Sequence, residues 1–243
     1  MYNSIINSDR PETTLFMIES LDGKISTGDT NELDVDKDFK RIVGVKEGLQ
    51  QYYELEKLTD PFSLNTGKVM AKIGVNTRQN PTKIGCSFII IDSKPHLNVQ
   101  GVDYLARWVK KLFLVTINKA HPAFEMAEQH ENIEIIYYEN KIDLSDLLKK
   151  LKEKYQIEKL TIQSGGTLNS YWIRKGLVDH VSIVIAPCLI GGKTTPTLLD
   201  GESLHEQSEL KNVKALNLVE SNVLENSYLH LKYEVISKTI VEN

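Results

Sequence analysis

Two glycine pairs lie within the stretch LTIQSGGTLNSYWIRKGLVDHVSIVIAPCLIGG, which spans residues 160–192. The pattern predicts a short buried strand, then the pair Gly165-Gly166 opening an amphipathic helix, then a second buried strand that ends in Gly191-Gly192. A strand, a helix and another strand in succession form the repeating unit of α/β folds with a parallel sheet. This stretch therefore decides the predicted fold class.

A helix that begins at a glycine pair is suited to bind a phosphate. Its first N–H groups are unpaired, the helix dipole favours an anion, and glycine lets the anion approach the backbone closely. One interpretation of Gly165, Gly166, Thr167 and Leu168 is therefore a nucleotide-binding helix start. The alternative is an ordinary turn, in which the Thr167 side chain caps the helix and the glycines only satisfy the turn.

The composition is that of a globular protein. The 243 residues are 41% hydrophobic and 26% charged, which is enough apolar material for one large core. The formal net charge is −4, and the sequence contains no basic block, which argues against nucleic-acid and membrane partners. No apolar run approaches the roughly 18 residues of a membrane span, and residues 1–11 lack a signal-peptide pattern. We therefore expect a cytoplasmic protein with one domain over residues 1–243 and a core over about 12–236.

Short apolar runs alternate with helical patterns along the chain. Predicted strands cover residues 14–18, 62–64, 87–91, 112–117, 133–138, 157–163, 181–186, 215–221 and 228–234. Predicted helices cover residues 39–58 and 144–154, besides the one that begins at the first glycine pair. The last two strands predict a C-terminal antiparallel hairpin on a mostly parallel central sheet flanked by helices. The fold class is thus α/β.

Several common catalytic patterns are absent from the sequence. It contains no P-loop, no His-Glu-x-x-His, no Cys-x-x-Cys and no Gly-x-Ser-x-Gly. The 6 histidines never stand at metal-ligand spacing, and Cys86 and Cys188 lie beside apolar runs, as expected for reduced packing residues. The zinc-deaminase signature is missing as well. We therefore predict no metal site and no deaminase activity.

A second motif lies near the start of the chain, where residues 20–26 read SLDGKIS and residues 27–30 read TGDT. Asp22-Gly23 is a strong turn signal, and the reversal of an edge strand explains it without any ligand. A carboxylate at a strand end can also orient the hydroxyl groups of a sugar or assist proton transfer. Asp22 is therefore a candidate catalytic residue, and holding its own turn is the alternative.

The motifs together resemble the riboflavin-biosynthesis reductase family, whose fold is that of dihydrofolate reductase. The matching segments, in chain order, are SLDGK at 20–24, IIID at 89–92, GGTL at 165–168, GLVD at 176–179 and APCLIGG at 186–192. The resemblance implies an enzyme that transfers hydride from NADPH to a ribosylaminopyrimidine 5′-phosphate, such as 5-amino-6-(5-phosphoribosylamino)uracil. Because the deaminase signature is missing, it implies a stand-alone reductase. In such chemistry the cofactor carries the reaction, and the protein orients the reactants and excludes water.

The resemblance also implies roles for particular residues. The implied cofactor-binding residues are Ser93, Gly165, Gly166, Thr167 and Leu168. The implied substrate-binding residues are Ser20, Thr30 and Gln163, with Asp22 as the catalytic candidate. Family members are homodimers, and the C-terminal hairpin with Tyr228, Leu229, Leu231 and Tyr233 is a candidate for the partner edge, or else for covering its own core.

Two departures from the family pattern concern ligand recognition. The segment LNTGKVM at residues 64–70 replaces the family loop, and its Gly67 and Lys68 are candidates for the NADPH phosphates, with a solvated lysine as the alternative. Gln163 replaces a substrate-contacting glutamate, so it keeps an acceptor oxygen and loses the charge. Two other functions therefore stay open: an NADPH-dependent reductase of another heterocyclic or pterin-like substrate, and a non-catalytic ligand-binding descendant.

Overall fold

The computed structural model describes residues 9–236 and 238–242. Its backbone divides into two compact units. The outer unit consists of Met1–Thr59 and Gly165–Asn243, and the inserted unit consists of Asp60–Ser164. Each unit contains its own cluster of buried apolar side chains.

Strands and helices alternate through most of the described residues. The strands are β1 (Glu12–Ser20), β2 (Phe62–Thr66), β3 (Ser87–Ile91), β4 (Leu112–Thr116), β5 (Ile133–Tyr137), β6 (Lys159–Ile162), β7 (His180–Ala186), β8 (Leu216–Val223) and β9 (Leu229–Val235). The α-helices are α1 (Val35–Asp38), α2 (Gln50–Glu56), α3 (Gly67–Lys72), α4 (Val99–Trp108), α5 (Ala123–Ala127), α6 (Leu144–Glu153) and α7 (Gly166–Arg174). Short 3₁₀ helices cover Phe39–Arg41, Val75–Thr77, Gln207–Asn212 and Glu225–Ser227.

The inserted unit is built on a parallel sheet with the strand order β5-β4-β3-β2-β6. Every residue of β4 is buried, which is what a central strand covered by helices on both faces requires. The amphipathic helices α4 and α6 each bury one apolar face, and the second of them buries four leucines. Because the strands are parallel, their carboxyl ends and the loops that follow lie along one edge.

The outer unit combines a parallel pair with an antiparallel hairpin. β1 pairs in parallel with β7, β7 pairs antiparallel with β9, and β9 pairs antiparallel with β8. Phe16 of β1 stacks on Tyr52 of α2 with ring centroids 5.3 Å apart, and both belong to the buried cluster of this unit. The mostly parallel α/β architecture with a C-terminal antiparallel hairpin confirms the predicted fold class.

The predicted strands all form, with ends shifted by a few residues. β9 pairs on both of its sides and Tyr228 is fully buried, which fits the second of the two predicted roles, that the hairpin residues cover the core of their own unit. β8 pairs only with β9 among the described strands, and most of its residues are exposed. The available edge is therefore β8.

The predicted helix over residues 39–58 is wrong. Only a 3₁₀ turn at its start and α2 near its end are helical, and Gly44 between them has a φ of 90°, which ends helical geometry. Val45 and Leu49 are nevertheless buried in the core of the outer unit. The apolar spacing thus identified some of the buried side chains, but Ile42 and Val43 of the same pattern are exposed, and the backbone passes through turns.

No helix in the described residues is long and apolar enough to cross a membrane. The expectation of one domain over residues 1–243 stays a prediction.

Candidate functional site

The turn after β1 is held by the carboxylate of Asp22. Its Oδ1 accepts hydrogen bonds from Ser20 Oγ at 2.5 Å and from the backbone N–H of Ile190 at 3.0 Å. Its Oδ2 accepts from the N–H of Gly191 at 2.6 Å. Gly23 completes the turn with a φ of 76°, a value that glycine adopts readily. Asp22 therefore fastens its own turn to the glycine pair after β7, whose first member, Gly191, lies 169 residues further along the chain.

These hydrogen bonds keep Asp22 ionised. The bond from the Ser20 hydroxyl is the largest cause, and with those from Ile190 and Gly191 it lowers the pKa of the Asp22 carboxyl to about 2. At neutral pH an exposed carboxylate with this pKa accepts hydrogen bonds and does not donate a proton. The geometry thus favours an orienting role for Asp22, and its catalytic role stays a prediction.

Lys24 extends the same connection between loops. Lys24 is 9% exposed, and its Nζ donates hydrogen bonds to the carbonyl oxygens of Gly192 at 2.8 Å and Thr195 at 3.1 Å. The N–H of Ile25 donates to the carbonyl of Pro196 at 3.0 Å. The sequence motif contains Lys24 but does not indicate this role, because the carbonyl partners lie 168 and 171 residues further along the chain.

The glycine pair at the start of α7 has two different roles. Gly165 is the N-cap with no side-chain capping bond, so Thr167 does not cap the helix and is instead exposed. A Cβ built on Gly166 would overlap the carbonyl of Thr197 and the carboxylate of Asp200, whereas a Cβ on Gly165 would meet nothing within 4 Å. Close packing within the chain explains Gly166, and open space beside a helix start leaves Gly165 available for a ligand.

The other outer-unit candidates lie on exposed loops or the first turn of α7. Thr30 is exposed and follows Asp29, whose carboxylate accepts a hydrogen bond from Thr194 Oγ1 at 2.6 Å. Leu168 is half-buried, and its N–H donates to the carbonyl of Gly165 at 2.9 Å. The structure brings Ser20 and Asp22 into direct contact, while their contact with a substrate stays a prediction.

In the inserted unit, a buried aspartate occupies the carboxyl end of β3. Asp92 is 1% exposed, and its carboxylate accepts hydrogen bonds from the N–H groups of His96 and Leu97 and from His96 Nδ1 at 2.8 Å. His121 Nε2 donates to Asp92 Oδ2 at 3.0 Å. Burial by itself would raise the pKa of Asp92, but the hydrogen bonds from His121, His96 and Leu97 outweigh burial and lower the pKa.

The inserted-unit candidates surround this aspartate to different degrees. A Cβ built on Gly67 would overlap the Asp92 carboxyl group, so the glycine is required by contact with Asp92. Lys68 is exposed in the first turn of α3, and Ser93 is half-buried directly after Asp92. The structure thus brings Gly67 to the carboxylate of Asp92, the residue that directly precedes Ser93, and the sequence did not indicate that contact.

Gln163 lies at the carboxyl end of β6 in a chain of polar side chains. Asn65 Nδ2 donates to Ser63 Oγ at 2.9 Å, and Ser63 Oγ donates to Gln163 Oε1 at 2.8 Å. The acceptor oxygen that remains in place of the family glutamate is therefore engaged by a serine. Its role in substrate binding stays a prediction.

Glu19 is an acidic residue of β1 and is not among the site residues predicted from the sequence. Its Oε2 is buried and has no hydrogen-bond partner among the described residues. Burial raises the pKa of the Glu19 carboxyl to about 7. The signal available in the sequence was an acidic residue directly after the apolar run at residues 15–18 of β1.

The described residues contain no group of three or more His, Cys, Asp or Glu that could hold a metal ion. The side chains of Asp92, His96 and His121 are joined by hydrogen bonds.

Comparisons with known proteins give a family and relatives. A family model described as the RibD C-terminal domain matches residues 76–228. The 2,5-diamino-6-ribosylamino-4(3H)-pyrimidinone 5′-phosphate reductase of Methanothermobacter thermautotrophicus is 26% identical over 82% of this chain and 88% of that protein. The reductase of the same name from Archaeoglobus fulgidus is 27% identical over 85% of this chain and 94% of that protein.

Solved structures show the same fold. The riboflavin biosynthesis reductase Rib7 of Saccharomyces cerevisia has a TM-score of 0.58 at 17% identity, covering 96% of this chain and 93% of that chain. Acinetobacter baumannii RibD, form 2, has a TM-score of 0.68 at 16% identity and is covered over 59% of its length by 94% of this chain.

Proposed function

Because the chain belongs to the RibD C-terminal domain family, we propose that it is an NADPH-dependent reductase of a ribosylaminopyrimidine 5′-phosphate in riboflavin biosynthesis. The two archaeal relatives are 2,5-diaminopyrimidinone phosphate reductases, which favours that pyrimidinone as substrate over the corresponding uracil. NADPH would supply the hydride, which passes to the ribose carbon and gives a ribitylamino product. The protein then has to orient the two reactants and exclude water.

The observation that carries the proposal is the open helix start at Gly165. In the outer unit, we assign the pyrophosphate of the cofactor to the backbone of Gly165, Gly166, Thr167 and Leu168, because helix-start N–H groups attract an anion. Of these positions, Gly165 combines helix-start placement with space on its Cβ side.

In the inserted unit, we assign further cofactor contacts to Gly67, Lys68 and Ser93. Lys68 is an exposed cation in the first turn of α3, so its ammonium group is available to the extra phosphate that distinguishes NADPH from NADH. A comparable affinity for NADH and NADPH would contradict that assignment.

Substrate contacts are assigned to Ser20, Asp22, Thr30 and Gln163. The ionised Asp22 carboxylate orients hydroxyl groups of the sugar by accepting their protons in hydrogen bonds. The hydrogen bond from Ser63 Oγ holds the carboxamide of Gln163 in place. A ligand would therefore meet this carboxamide in a fixed orientation.

We further propose that the protein is a cytoplasmic homodimer. Four large apolar side chains of β8, those of Leu216, Leu218, Val219 and Val223, are exposed along the edge strand. Exposed apolar edges favour pairing with a second copy. Replacement of Leu218 by Glu is expected to convert the dimer to monomers in sedimentation experiments.

The test is a titration with NADPH followed by the 2,5-diaminopyrimidinone phosphate, with absorbance of the reduced nicotinamide as the signal. We expect substrate-dependent oxidation of NADPH. Gly165→Leu is expected to weaken NADPH binding by about tenfold or more, since a side chain would block the approach to the helix start. Gly85→Leu is the matched control, because Gly85 has equally open space and precedes β3, at the other end of that strand from the proposed contact Ser93.

Gly166 is unsuited to this test, because any side chain there would collide with Thr197 and Asp200 and disturb the fold. NADPH binding without turnover would redirect the search to another heterocyclic or pterin-like substrate. Absence of binding would favour the non-catalytic descendant.

A further inference from the structure

One buried carboxylate joins three loops of the inserted unit. Asp92 follows β3 and accepts N–H groups of the loop that leads to α4. It also accepts a hydrogen bond from His121 in the loop after β4. Its carboxyl group contacts Gly67, which directly follows β2. β2, β3 and β4 are neighbouring parallel strands, so these loops all leave the same edge of the sheet.

His121 donates a hydrogen bond to this carboxylate from the loop after β4. Its ring is buried, and Nδ1 accepts a hydrogen bond from the N–H of Ala123 at 3.1 Å. Nδ1 therefore carries no proton, so the ring proton resides on Nε2 and is donated to Asp92. Each ring nitrogen has one defined partner, which fixes the orientation of the imidazole.

Asp92 and His121 are each only 1% exposed, so neither reaches a ligand. Their immediate neighbours include residues to which the proposed function gives cofactor contacts. Gly67 touches the carboxyl group, and Ser93 is the next residue in the chain. A displacement of the Asp92 carboxylate would therefore move both.

We propose that the Asp92–His121 pair is a positioning device that holds the loops carrying Gly67, Lys68 and Ser93 in the arrangement required to bind NADPH. The inference rests on the proposed function, since it takes from it the cofactor contacts of these loops. Both members are positioning residues: they act through the backbone of the loops they fasten.

The two hydrogen bonds of His121 can be removed separately. His121→Asn places an amide oxygen near the position of Nδ1, which preserves the acceptor for Ala123 and removes the donor to Asp92. His121→Gln is longer and keeps a donor for Asp92 while losing the acceptor for Ala123. The two variants therefore distinguish the link to the carboxylate from the local link to α5.

We expect His121→Asn to raise the KM for NADPH by about tenfold, the effect of losing one charge-assisted hydrogen bond, with kcat changed by less than about twofold. His121→Gln is expected to keep the KM close to that of the unaltered protein. A KM that is unchanged in His121→Asn, or raised equally in both variants, would overturn the proposal. Circular dichroism of each variant verifies that the comparison is made between folded proteins.

His130→Asn is the matched control, because it removes the Nε2 donor to Asp103 just as His121→Asn removes the donor to Asp92. His130 Nε2 contacts Asp103 Oδ1 at 2.9 Å, so the same unit holds a second imidazole–carboxylate pair of similar length, less buried and away from the three loops. The control is expected to leave the KM for NADPH unchanged. An increase equal to that of His121→Asn would show a general loss of stability and contradict the positioning role.

Nitrogen NMR of the unaltered protein gives a readout that does not depend on activity. The His121 ring is expected as the neutral tautomer with its proton on Nε2, and a proton on Nδ1 would overturn the geometry. If the unaltered protein fails to bind NADPH, the proposed function and this inference fall together. If the unaltered protein binds and oxidises NADPH while His121→Asn behaves normally, the inference alone fails.

Discussion

Two aspartates follow parallel strands in different units and fasten loops in different surroundings. Asp22 follows β1 in the outer unit, is exposed, and accepts the N–H groups of Ile190 and Gly191. Asp92 follows β3 in the inserted unit, is 1% exposed, and accepts N–H groups of its own loop together with His121. Both carboxyl groups have lowered pKa values because N–H and O–H donors surround them.

The difference teaches that an aspartate at a strand end is first of all a loop anchor, and that exposure decides whether it can also touch a ligand. The carboxylate of Asp22 stays accessible to a sugar hydroxyl. The carboxylate of Asp92 is enclosed, so any effect on binding passes through the loops that it holds. Substitutions at the two sites are therefore expected to separate stability from ligand recognition.

The largest effect is expected from removing the two carboxylates in turn. Asp92→Ala leaves buried N–H groups and His121 without their acceptor, so we expect a loss of about 3–5 kcal/mol in the free energy of unfolding. Asp22→Ala is expected to cost about 1 kcal/mol or less, because water replaces the carboxylate at an exposed site. Urea unfolding of both variants measures the difference, and equal losses would contradict the contrast between the sites.

The second effect concerns the glycines beside each site. Gly67→Ala would force a Cβ into the Asp92 carboxyl group, and we expect a loss of about 2–3 kcal/mol from overpacking. Gly165→Ala is the matched variant: its φ is −75° and its Cβ meets open space, so a change within about 1 kcal/mol is expected. Thermal unfolding of the two proteins tests this, and similar melting temperatures would break the distinction.

The smallest effect on stability is expected at Glu19, a buried carboxyl group whose pKa is raised, in contrast to the hydrogen-bonded Asp92, whose pKa is lowered. Within the part of the chain that the structure describes, Oε2 of Glu19 has no hydrogen-bond partner, and burial raises the pKa of this carboxyl group to about 7. The folded protein therefore holds the proton more tightly than the unfolded chain, so stability falls as pH rises from about 4.5 to about 7. Glu19→Gln abolishes this dependence and is expected to be more stable than the unaltered protein at pH 8 by about 1–2 kcal/mol, allowing for partial exposure.

Urea unfolding between pH 4 and pH 8 measures this difference. Glu32→Gln changes an exposed glutamate in the same unit and serves as the control. An equal advantage for Glu19→Gln at pH 4 and pH 8 would contradict the assignment of the pH dependence to Glu19.

Much of the fold was readable from local patterns. Continuous apolar runs predicted the strands, because a strand covered on both faces needs apolar side chains at every position. The spacing of leucines predicted α6, since one face of that helix is buried. The same rule failed over residues 39–58, where Gly44 interrupts helical geometry, Val45 and Leu49 are buried, and Val43 is exposed.

The motifs of the site were visible, but several of their reasons were not. The sequence singled out Gly165 and Gly166 together, and only the packing of Thr197 and Asp200 separates their roles. In the sequence His121 is one of several scattered histidines. In the structure it is hydrogen-bonded to Asp92, which lies 29 residues before it in the chain.

The sequence by itself determined the α/β class, the parallel strands and the turn at Asp22, because each depends on side-chain periodicity or on the chemistry of adjacent residues. Only the tertiary structure decided which polar groups share a hydrogen bond, which glycines contact another part of the chain, and which carboxyl groups are enclosed. Those properties depend on distances between residues far apart in the chain, and folding sets these distances by burying many side chains at once.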